Sequence, residues 1–365
     1  MVKILFIINN FTAGGGAEAV LTSIVNNLDE SKYNIGIVEI IHSGIKQEKL
    51  KKSIKIYPYY VEADDPDRKK KMYSVYHEWE AVRERLIPKD YDVYISFNYL
   101  KPTFLLPPNK KSISWIHGDM YNLLSDNLSE ERELQRTAFT NVNRIVAISD
   151  ITRQSIEDIF PEYKLKICDI YNGVDISEVR RKALQQTDVR LEKKSILAVG
   201  RLDDNKNPMR LLKVFGDVKK RVWDAHLYYL GYGHLIDQVK EKSKEMGIEN
   251  CVHCLGYYDN PFPIINQCKV VGMMSKSEGF PMALLEAAAL GKPFVATKVG
   301  GASVLSANGK CGRVIMEDEQ AVNAFADYLC DDRINHDIME EIEKYDIKEY
   351  IRKIENLIDN VLDET

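Results

Sequence analysis

The chain has 365 residues, of which 45% are apolar and 29% are charged, and its formal net charge is −5. This length and apolar content allow a large buried core and two domains, which argues against a single small module. The net negative charge argues against a protein dedicated to nucleic acid, so we expect no nucleic-acid partner.

The N-terminal segment is the first predicted strand. Val2 to Asn9 form an apolar run that is too short for the core of a signal peptide, and no small-residue cleavage site follows it. No stretch of the sequence approaches the roughly 18 apolar residues that a membrane-spanning helix needs. We therefore expect a cytoplasmic protein whose six cysteines are reduced thiols.

Strand and helix patterns alternate along the first half of the chain. The apolar periodicity predicts strands at residues 2–9, 34–41, 54–57, 91–97, 112–117, 144–149 and 165–171, and helices at 17–28, 72–87, 129–141 and 150–159. This βαβ alternation predicts a mostly parallel sheet.

The alternation is interrupted between Asn172 and Lys194, where charged residues are frequent, and we interpret this segment as an interdomain linker. The second half repeats the pattern, with strands predicted near 195–200, 225–230, 251–255, 270–275 and 294–297 and helices near 208–221, 234–246, 260–268, 282–290 and 319–330. Two Rossmann-like α/β domains are therefore expected.

Two glutamates flank one predicted helix start in the second half. Pro281 favours the first turn of a helix, so Glu278 lies just before the helix and Glu286 about one turn inside it. The free N–H groups at a helix start attract phosphate, and ionised carboxylates accept hydrogen bonds from hydroxyls. A ligand with both groups would suit this site, although the carboxylates could instead serve only as a cap and a partner of the helix dipole.

Other candidate residues follow predicted strands, where ligands of parallel sheets bind. The loop Gly14 to Gly16 could cradle a phosphate, His117 ends a strand, and Arg201 and Lys206 could hold a diphosphate. A tight turn, a packed histidine and two solvated charges are the alternatives that these residues leave open.

Together these motifs resemble the retaining GT-B glycosyltransferases of family 4. The resemblance extends along nearly the whole chain, through the Gly-rich loop, His117-Gly118, Asn172-Gly-Val-Asp175, Gly200-Arg201, Lys206-Asn207-Pro208, Gly231-Tyr-Gly233, Leu255-Gly256-Tyr257, Ser277-Glu-Gly-Phe-Pro281 and Glu286. It implies a GT-B fold with two Rossmann-like domains facing across a cleft. Residues 1–185 would bind the acceptor, residues 186–345 would bind the nucleotide sugar, and a C-terminal helix at 346–365 would pack back toward the N-terminal domain.

The resemblance also implies roles for individual residues. Arg201 and Lys206 would hold the donor diphosphate, and Glu286 would grip the ribose hydroxyls. Glu278 would grip the donor sugar, and His117 would lie near the reacting sugar. The remaining implied donor-binding positions are Gly15, Gly16, Gly231, Gly233, Gly256, Tyr257, Gly279, Phe280, Pro281 and Leu285.

The implied reaction transfers a hexose or N-acetylhexosamine from a nucleotide diphosphate sugar, with UDP expected from family habit, to a glycan or lipid-linked acceptor of surface polysaccharide synthesis. Retention is expected from same-face attack, with the leaving phosphate helping to take the acceptor proton. A double displacement through Glu278 is the alternative. No metal is expected, because cations and a helix N-terminus can stabilise the leaving group.

Two short motifs suggest metals but receive a structural interpretation. Asp65 and Asp67 form a D-x-D in a run of acids, which we interpret as a solvated loop. Cys251 and Cys254 form a C-x-x-C with no second pair at zinc-site spacing, which we interpret as structural.

A basic run, Arg68, Lys69, Lys70 and Lys71, precedes several aromatic residues. It suggests contact with an anionic lipid-linked acceptor or a membrane surface, with a solvated helix start as the alternative.

Two departures from the family pattern limit which properties of the family can be expected of this chain. Ala302-Ser-Val304 follows Gly301 where a Pro-Glu pair is usual, and His234 stands where an acidic residue is usual. The base and sugar preferences are therefore less transferable than the diphosphate site.

Three other classes of protein compete with this interpretation. The alternatives are a GT-B nucleotide-sugar epimerase and a non-catalytic two-lobed sugar-binding protein. An NAD-dependent oxidoreductase is disfavoured, because the sequence lacks the G-x-G-x-x-G motif of dinucleotide-binding folds.

Overall fold

A computed structural model describes residues 1–13, 15–44, 50–51, 53–124, 128–330 and 336–364. The chain forms two compact units, one made of Met1–Asn172 with Lys348–Thr365 and the other of Gly173–Ile347. The sequence-based boundary at residue 185 therefore differs from the structural one, and residues 348–365 group with the first unit.

The first unit is built on a seven-stranded parallel sheet. The strands of this unit are β1 (Val2–Ile8), β2 (Tyr33–Glu39), β3 (Ile41–His42), β4 (Lys55–Ile56), β5 (Val61–Glu62), β6 (Val93–Ser96), β7 (Lys111–Ile116), β8 (Arg144–Ala147) and β9 (Ile167–Asp169). The sheet order is β4-β2-β1-β6-β7-β8-β9, and β3 pairs separately with β5. The side chains from Ile4 to Ile8 have no exposed surface, as expected for a parallel sheet covered on both faces.

Helices connect these strands. They are α1 (Gly16–Asn27), α2 (Arg68–His77), α3 (Trp79–Leu86), α4 (Lys101–Phe104), α5 (Met120–Leu123), α6 (Leu128–Thr140) and α7 (Asp150–Ile159), with a 3₁₀ turn at Pro161–Lys166. The single helix predicted at 72–87 is thus two helices that meet at Glu78, whose φ of −125° and ψ of 31° lie outside the helical range.

The second unit contains a six-stranded parallel sheet in the order β12-β11-β10-β13-β14-β15. Its strands are β10 (Ser195–Val199), β11 (His226–Leu230), β12 (Val252–Gly256), β13 (Val270–Met273), β14 (Phe294–Thr297) and β15 (Gly312–Ile315). Strand β15 was not predicted from the sequence, because it is a four-residue edge strand in which only Gly312 and Ile315 are buried.

The helices of the second unit are α8 (Ile176–Ala183), α9 (Pro208–Arg221), α10 (Ile236–Glu245), α11 (Phe262–Ile265), α12 (Met282–Ala289), α13 (Ala302–Leu305), α14 (Asp318–Cys330) and α15 (His336–Ile342). Two 3₁₀ turns lie at Glu249–Cys251 and Glu343–Tyr345. The last helix of the chain, α16, covers Ile347–Asp363, and from Lys348 onward it groups with the first unit. The described residues contain no helix with the length and apolarity to cross a membrane.

The segment 172–194, which the sequence predicts as an interdomain linker, starts at the boundary between the two units and contains helix α8. Asp175 caps this helix by accepting a hydrogen bond from the backbone N–H of Glu178 at 2.8 Å. Ile176, Val179 and Ala183 are buried on one face, so the charged residues between them occupy the solvent side.

Each sheet reverses its strand order once. The chain passes from β1 to β2 on one side and returns to β6 on the other, and in the second unit the reversal lies between β10 and β13. Ligands of open α/β sheets bind beyond the carboxyl ends of the strands at such switch points. The carboxyl ends of the strands at these two reversals are therefore the expected places for a ligand.

Candidate active site

Backbone hydrogen bonds connect the loops that follow β10, β11 and β12. Leu202 donates to the Tyr232 carbonyl and Gly231 donates to the Gly256 carbonyl, both at 2.8 Å. A Cβ on Gly231, whose φ is +146°, would lie 2.0 Å from the Gly200 oxygen. Close backbone approach therefore requires this glycine and sets the shape of the loops.

Gly233 is constrained in the same way. A Cβ there would lie 2.1 Å from the backbone oxygen of Leu202. The predicted glycines of this turn thus hold neighbouring loops together, which is compatible with a ligand above the loops but does not depend on one.

Arg201 follows β10 with its guanidinium anchored on one side. Its Nε lies 3.1 Å from Oδ2 of Asp203, and its side chain is 76% exposed. The other Asp203 oxygen accepts the backbone N–H groups of Asn205 and Lys206. Asp203 therefore shapes the loop and orients a cation that remains open to solvent.

Lys206 and Glu278, which the sequence analysis assigned to different parts of one ligand, contact each other directly. The Lys206 Nζ is 2.7 Å from the Glu278 Oε1, and the side chains are 22% and 12% exposed. A pair buried to this extent is costly to leave with one partner missing.

Asn205 holds the two loops that carry this ion pair. Its Nδ2 donates to the Ser277 carbonyl at 2.9 Å, and its Oδ1 accepts from the Ser277 N–H at 3.2 Å. Asn205 and Asp203 are not among the site residues predicted from the sequence, although both lie between Arg201 and Lys206.

Helix α12 begins where the sequence predicts, with Pro281 before Met282. Phe280 is buried, and its ring would lie 2.5 Å from a Cβ on Gly301, a glycine with a φ of +75°. Leu285 is completely buried in the protein interior. Pro281 and Leu285 therefore position the helix by packing, and Glu278 and Gly279 occupy the loop just before it.

Glu286 lies in the second turn of α12. Burial raises the pKa of its carboxyl group to about 7, and the nearby Lys182 opposes this shift. Its charge therefore changes within the physiological pH range.

Two exposed tyrosines stand beside the same loops. The side chains of Tyr232 and Tyr257 are 64% and 59% exposed, and a Cβ on Gly256 would lie 3.1 Å from the Tyr232 hydroxyl. Exposed rings of this kind provide surfaces for stacking a planar base. Tyr257 and Gly256 are site residues predicted from the sequence, whereas Tyr232 is not, and its signal in the sequence is an aromatic residue between two glycines.

The remaining candidates lie in the first unit. Gly15 precedes α1 and Gly16 is its first residue, whereas Gly14 is outside the described residues. A Cβ on Gly16 would meet no atom of the described chain within 4 Å, so packing against these residues does not require glycine there.

His117 follows β7 directly and packs on Phe97, with ring centroids 4.4 Å apart. Burial lowers the pKa of this imidazole to about 3. Its Nε2 is buried and has no hydrogen-bond partner within the described part of the chain. The ring is therefore a neutral group with one unused nitrogen at the carboxyl edge of the sheet.

The residues of the two motifs that suggest metals have ordinary protein surroundings in the structure. Asp65 accepts from the Asp67 N–H at 2.8 Å and from Lys71 Nζ at 2.5 Å. Cys251 and Cys254 are free thiols that are partly buried against the core of the second unit.

Two parallel α/β units, one of them carrying Arg201, Lys206, Glu278 and Glu286 at its switch point, define a GT-B type of protein. The sequence family described as "Glycosyltransferase Family 4" matches residues 14–178, and the family "Glycosyl transferases group 1" matches residues 179–359. The chain therefore belongs to the group 1 glycosyltransferases of GT-B fold, which are transferase enzymes.

Two curated relatives come from Campylobacter jejuni. One is an N-acetylgalactosamine-N,N'-diacetylbacillosaminyl-diphospho-undecaprenol 4-alpha-N-acetylgalactosaminyltransferase, 32% identical over 173 residues, which are 46% of this chain and 46% of that protein. The chain thus matches about half the length of this relative. The other is a GalNAc-alpha-(1->4)-GalNAc-alpha-(1->3)-diNAcBac-PP-undecaprenol alpha-1,4-N-acetyl-D-galactosaminyltransferase, 27% identical over 78% of this chain and 76% of that protein.

A similar solved structure is that of Anabaena Alr3699/HepE in complex with UDP. Its TM-score is 0.76 at 16% identity, with coverage of 98% of this chain and 100% of that chain. At this identity the likeness establishes the fold alone.

Proposed function

We propose that the protein transfers an N-acetylhexosamine or hexose from a UDP-sugar to a lipid-linked glycan acceptor, with retention of anomeric configuration and without a metal ion. The product would be a surface polysaccharide intermediate. The observation that carries this proposal is the ion pair of Lys206 and Glu278 beside the exposed guanidinium of Arg201.

This arrangement suits a ligand with a diphosphate next to a sugar. A bound diphosphate attracts Lys206 and Arg201, and it competes with Glu278 for the lysine. Glu278 then accepts hydrogen bonds from sugar hydroxyls at the start of α12. The 2.7 Å ion pair thus keeps both groups oriented before the donor binds.

The proposed step forms one bond and breaks one bond on the same face of the sugar. The acceptor oxygen bonds to the anomeric carbon while the bond from that carbon to the phosphate oxygen breaks, and the acceptor proton moves to the leaving phosphate. Arg201 and Lys206 stabilise the negative charge that develops on UDP. In this mechanism Glu278 orients the sugar and forms no covalent bond.

The substrate classes rest on the relatives. The names of both Campylobacter proteins specify N-acetylgalactosamine transfer to glycans on diphospho-undecaprenol, and the Anabaena protein was solved with UDP. We infer the same classes of acceptor and nucleotide for this chain.

Association with an anionic membrane is a further part of the proposal. Lys71 is paired with Asp65, and Arg68 donates to the Ala63 carbonyl at 2.7 Å. Lys69 and Lys70 are exposed on the first turn of α2, where they are placed to meet lipid phosphates.

The test incubates the protein with UDP-, GDP- and ADP-sugars in EDTA, with and without lipid-linked acceptors, and measures nucleotide release and product. Acceptor-dependent UDP release that survives EDTA and is lost in Arg201→Ala is expected. Interconversion of the donor sugar without an acceptor would instead identify an epimerase, and dependence on an added divalent cation would contradict the proposed mechanism.

A further inference from the structure

A glutamate and a histidine that the proposed mechanism does not use are paired at the carboxyl edge of the first sheet. Glu39 is the last residue of β2 and is only 3% exposed, and His42 ends β3. The Glu39 Oε1 lies 2.5 Å from the Nδ1 of His42. We call these two residues the Glu39–His42 dyad.

The second carboxylate oxygen of Glu39 already accepts three hydrogen bonds. Its Oε2 accepts from the backbone N–H of Phe11 at 2.9 Å, and from the N–H and hydroxyl of Thr12 at 3.1 Å each. Glu39 thus joins the loop after β1 to the end of β2. It acts as an acceptor in every one of these contacts, so the hydrogen between it and the imidazole lies on Nδ1.

In the neutral imidazole the outward nitrogen, Nε2, then has a lone pair, and no hydrogen bond to it is found among the described residues. The ring stacks on Tyr59, with centroids 4.6 Å apart and planes at 9°, which fixes its orientation. The His42 side chain is 34% exposed, so the imidazole is held by Glu39 and Tyr59 and still has a solvent-accessible surface. A fixed imidazole with a free Nε2 suits a hydroxyl that donates a hydrogen bond.

The neighbouring groups are also acceptors. Asn10 donates from Nδ2 to the Ser43 hydroxyl at 2.7 Å, but its Oδ1 is buried and has no partner among the residues with described positions. The Oδ1 of Asn9 is likewise buried and without a hydrogen-bond partner among the described residues. An anion would be repelled by these oxygens and by Glu39, whereas sugar hydroxyls and acetamido N–H groups would satisfy them.

The position on the sheet favours a ligand. Asn9 and Asn10 directly follow β1 at the switch point between β1 and β6, and the dyad lies at the end of the adjacent strand β2. The proposed donor contacts of Arg201, Lys206, Glu278 and Glu286 all belong to the other unit. A transferase has a second substrate, and the edge that carries the dyad has the polar groups for it.

We propose that His42, oriented by Glu39, binds the hydroxyl-bearing terminal sugar of the acceptor through Nε2, with Asn10 as a second contact to the same sugar. This inference rests on the proposed transferase function. In this role His42 touches substrate, whereas Glu39 is a positioning residue that sets the tautomer of the imidazole.

Two variants separate this role from simple loop bracing. His42→Phe keeps a ring that can stack on Tyr59 but has no nitrogen. Glu39→Gln keeps an oxygen for the Thr12 donors, but its amide donates to Nδ1 and so moves the imidazole hydrogen to Nε2. We expect each variant to lower kcat/KM for the acceptor about tenfold, mainly through KM, because one hydrogen bond to substrate is lost or reversed. His42→Gln, which restores an outward polar group, should recover part of this loss.

The matched control is His77→Phe. His77 lies in the same unit and also packs on a tyrosine, Tyr73, with ring centroids 3.9 Å apart, and it is not part of the dyad. It should leave acceptor kinetics unchanged. Thermal unfolding and affinity for a UDP-sugar should match the wild type in all variants, and if His42→Phe does not fold, Glu39→Gln carries the comparison.

The assay uses N-acetylgalactosamine-capped diphospho-undecaprenol as acceptor and UDP-GalNAc as donor. Normal acceptor kinetics in the dyad variants, beside active wild type, would overturn the inference alone. A parallel loss of UDP-sugar affinity would overturn it as well, because the defect would then not be specific to the acceptor. Failure of the wild type to transfer sugar to any acceptor of the panel would overturn the proposed function and this inference with it.

Discussion

The charge of Glu286 offers a prediction whose size follows from the structure. We propose that this carboxyl accepts hydrogen bonds from the ribose hydroxyls of the donor, which the ionised form does better, and burial raises its pKa to about 7. If only the ionised form binds, the apparent Kd is multiplied by one plus the protonated-to-ionised ratio. That factor is about 11 at pH 6 and about 1.1 at pH 8, so affinity should rise roughly tenfold over this range.

The assay is calorimetry with a UDP-sugar at constant ionic strength and without acceptor. A UDP-sugar is preferable to UDP, because a terminal phosphate has its own ionisation near pH 6. Glu286→Gln should bind weakly at every pH and show a flat profile, and the exposed-residue control Glu241→Gln should keep the wild-type slope. A flat profile in the wild type, or an unchanged slope in Glu286→Gln, would refute the reasoning.

The same shift predicts the pH dependence of stability. The pKa of Glu286 is raised above its usual value near 4.5, so the folded state binds the proton more tightly than the unfolded state. The associated stability is present below pH 4.5 and is lost as the pH rises through about 7. Thermal unfolding of the ligand-free protein should therefore show a larger loss between pH 5 and pH 8 in the wild type than in Glu286→Gln.

Three further predictions concern the same site. Arg201→Ala should reduce transfer at least a hundredfold without changing the unfolding temperature, because this side chain is 76% exposed. Lys206→Ala should reduce both transfer and the unfolding temperature, because it leaves the partly buried carboxylate of Glu278 without its partner. Equal thermal stability of the two variants would contradict this. Glu286→Ala should mainly weaken UDP binding and Glu278→Ala mainly slow sugar transfer, so equal effects on UDP affinity in calorimetry would argue against the division of roles. Gly231→Ala should lower UDP affinity at least tenfold, because its Cβ would lie 2.0 Å from a backbone oxygen, and normal affinity would show that the loop geometry does not matter.

Local sequence signals predicted the parts of the site that depend on local structure. Pro281 and the alanine-rich segment after it predicted where α12 begins, and the structure confirms that start at Met282. The parallel α/β architecture of both units followed from the alternation of strand and helix patterns, and the similarity to GT-B structures confirms it.

The sequence could not predict contacts between distant segments. Lys206 and Glu278 are 72 residues apart and appeared to be independent ligands until the structure placed them 2.7 Å apart. The pairing of Glu39 with His42 was missed for a related reason. Its meaning depends on Thr12, which reaches Glu39 only through the adjacency of β1 and β2.

Charge crowding was misleading near residue 180. The charged side chains between Ile176 and Ala183 suggested an interdomain linker, but three apolar residues at helical spacing were enough to bury one face of α8. The helix periodicity was the better guide there, because a short amphipathic helix needs only a narrow apolar stripe.

We propose that this chain moves a sugar from a UDP-sugar to a lipid-linked glycan with retention of anomeric configuration. The most direct measurement is the NMR coupling constant of the new anomeric proton in the product formed from UDP-GalNAc and N-acetylgalactosamine-capped diphospho-undecaprenol. Retention predicts an α-linked product, which has the anomeric configuration of the donor. A β-linked product would contradict retention, and the absence of any product across the full panel of donors and acceptors would contradict the transferase assignment of this site.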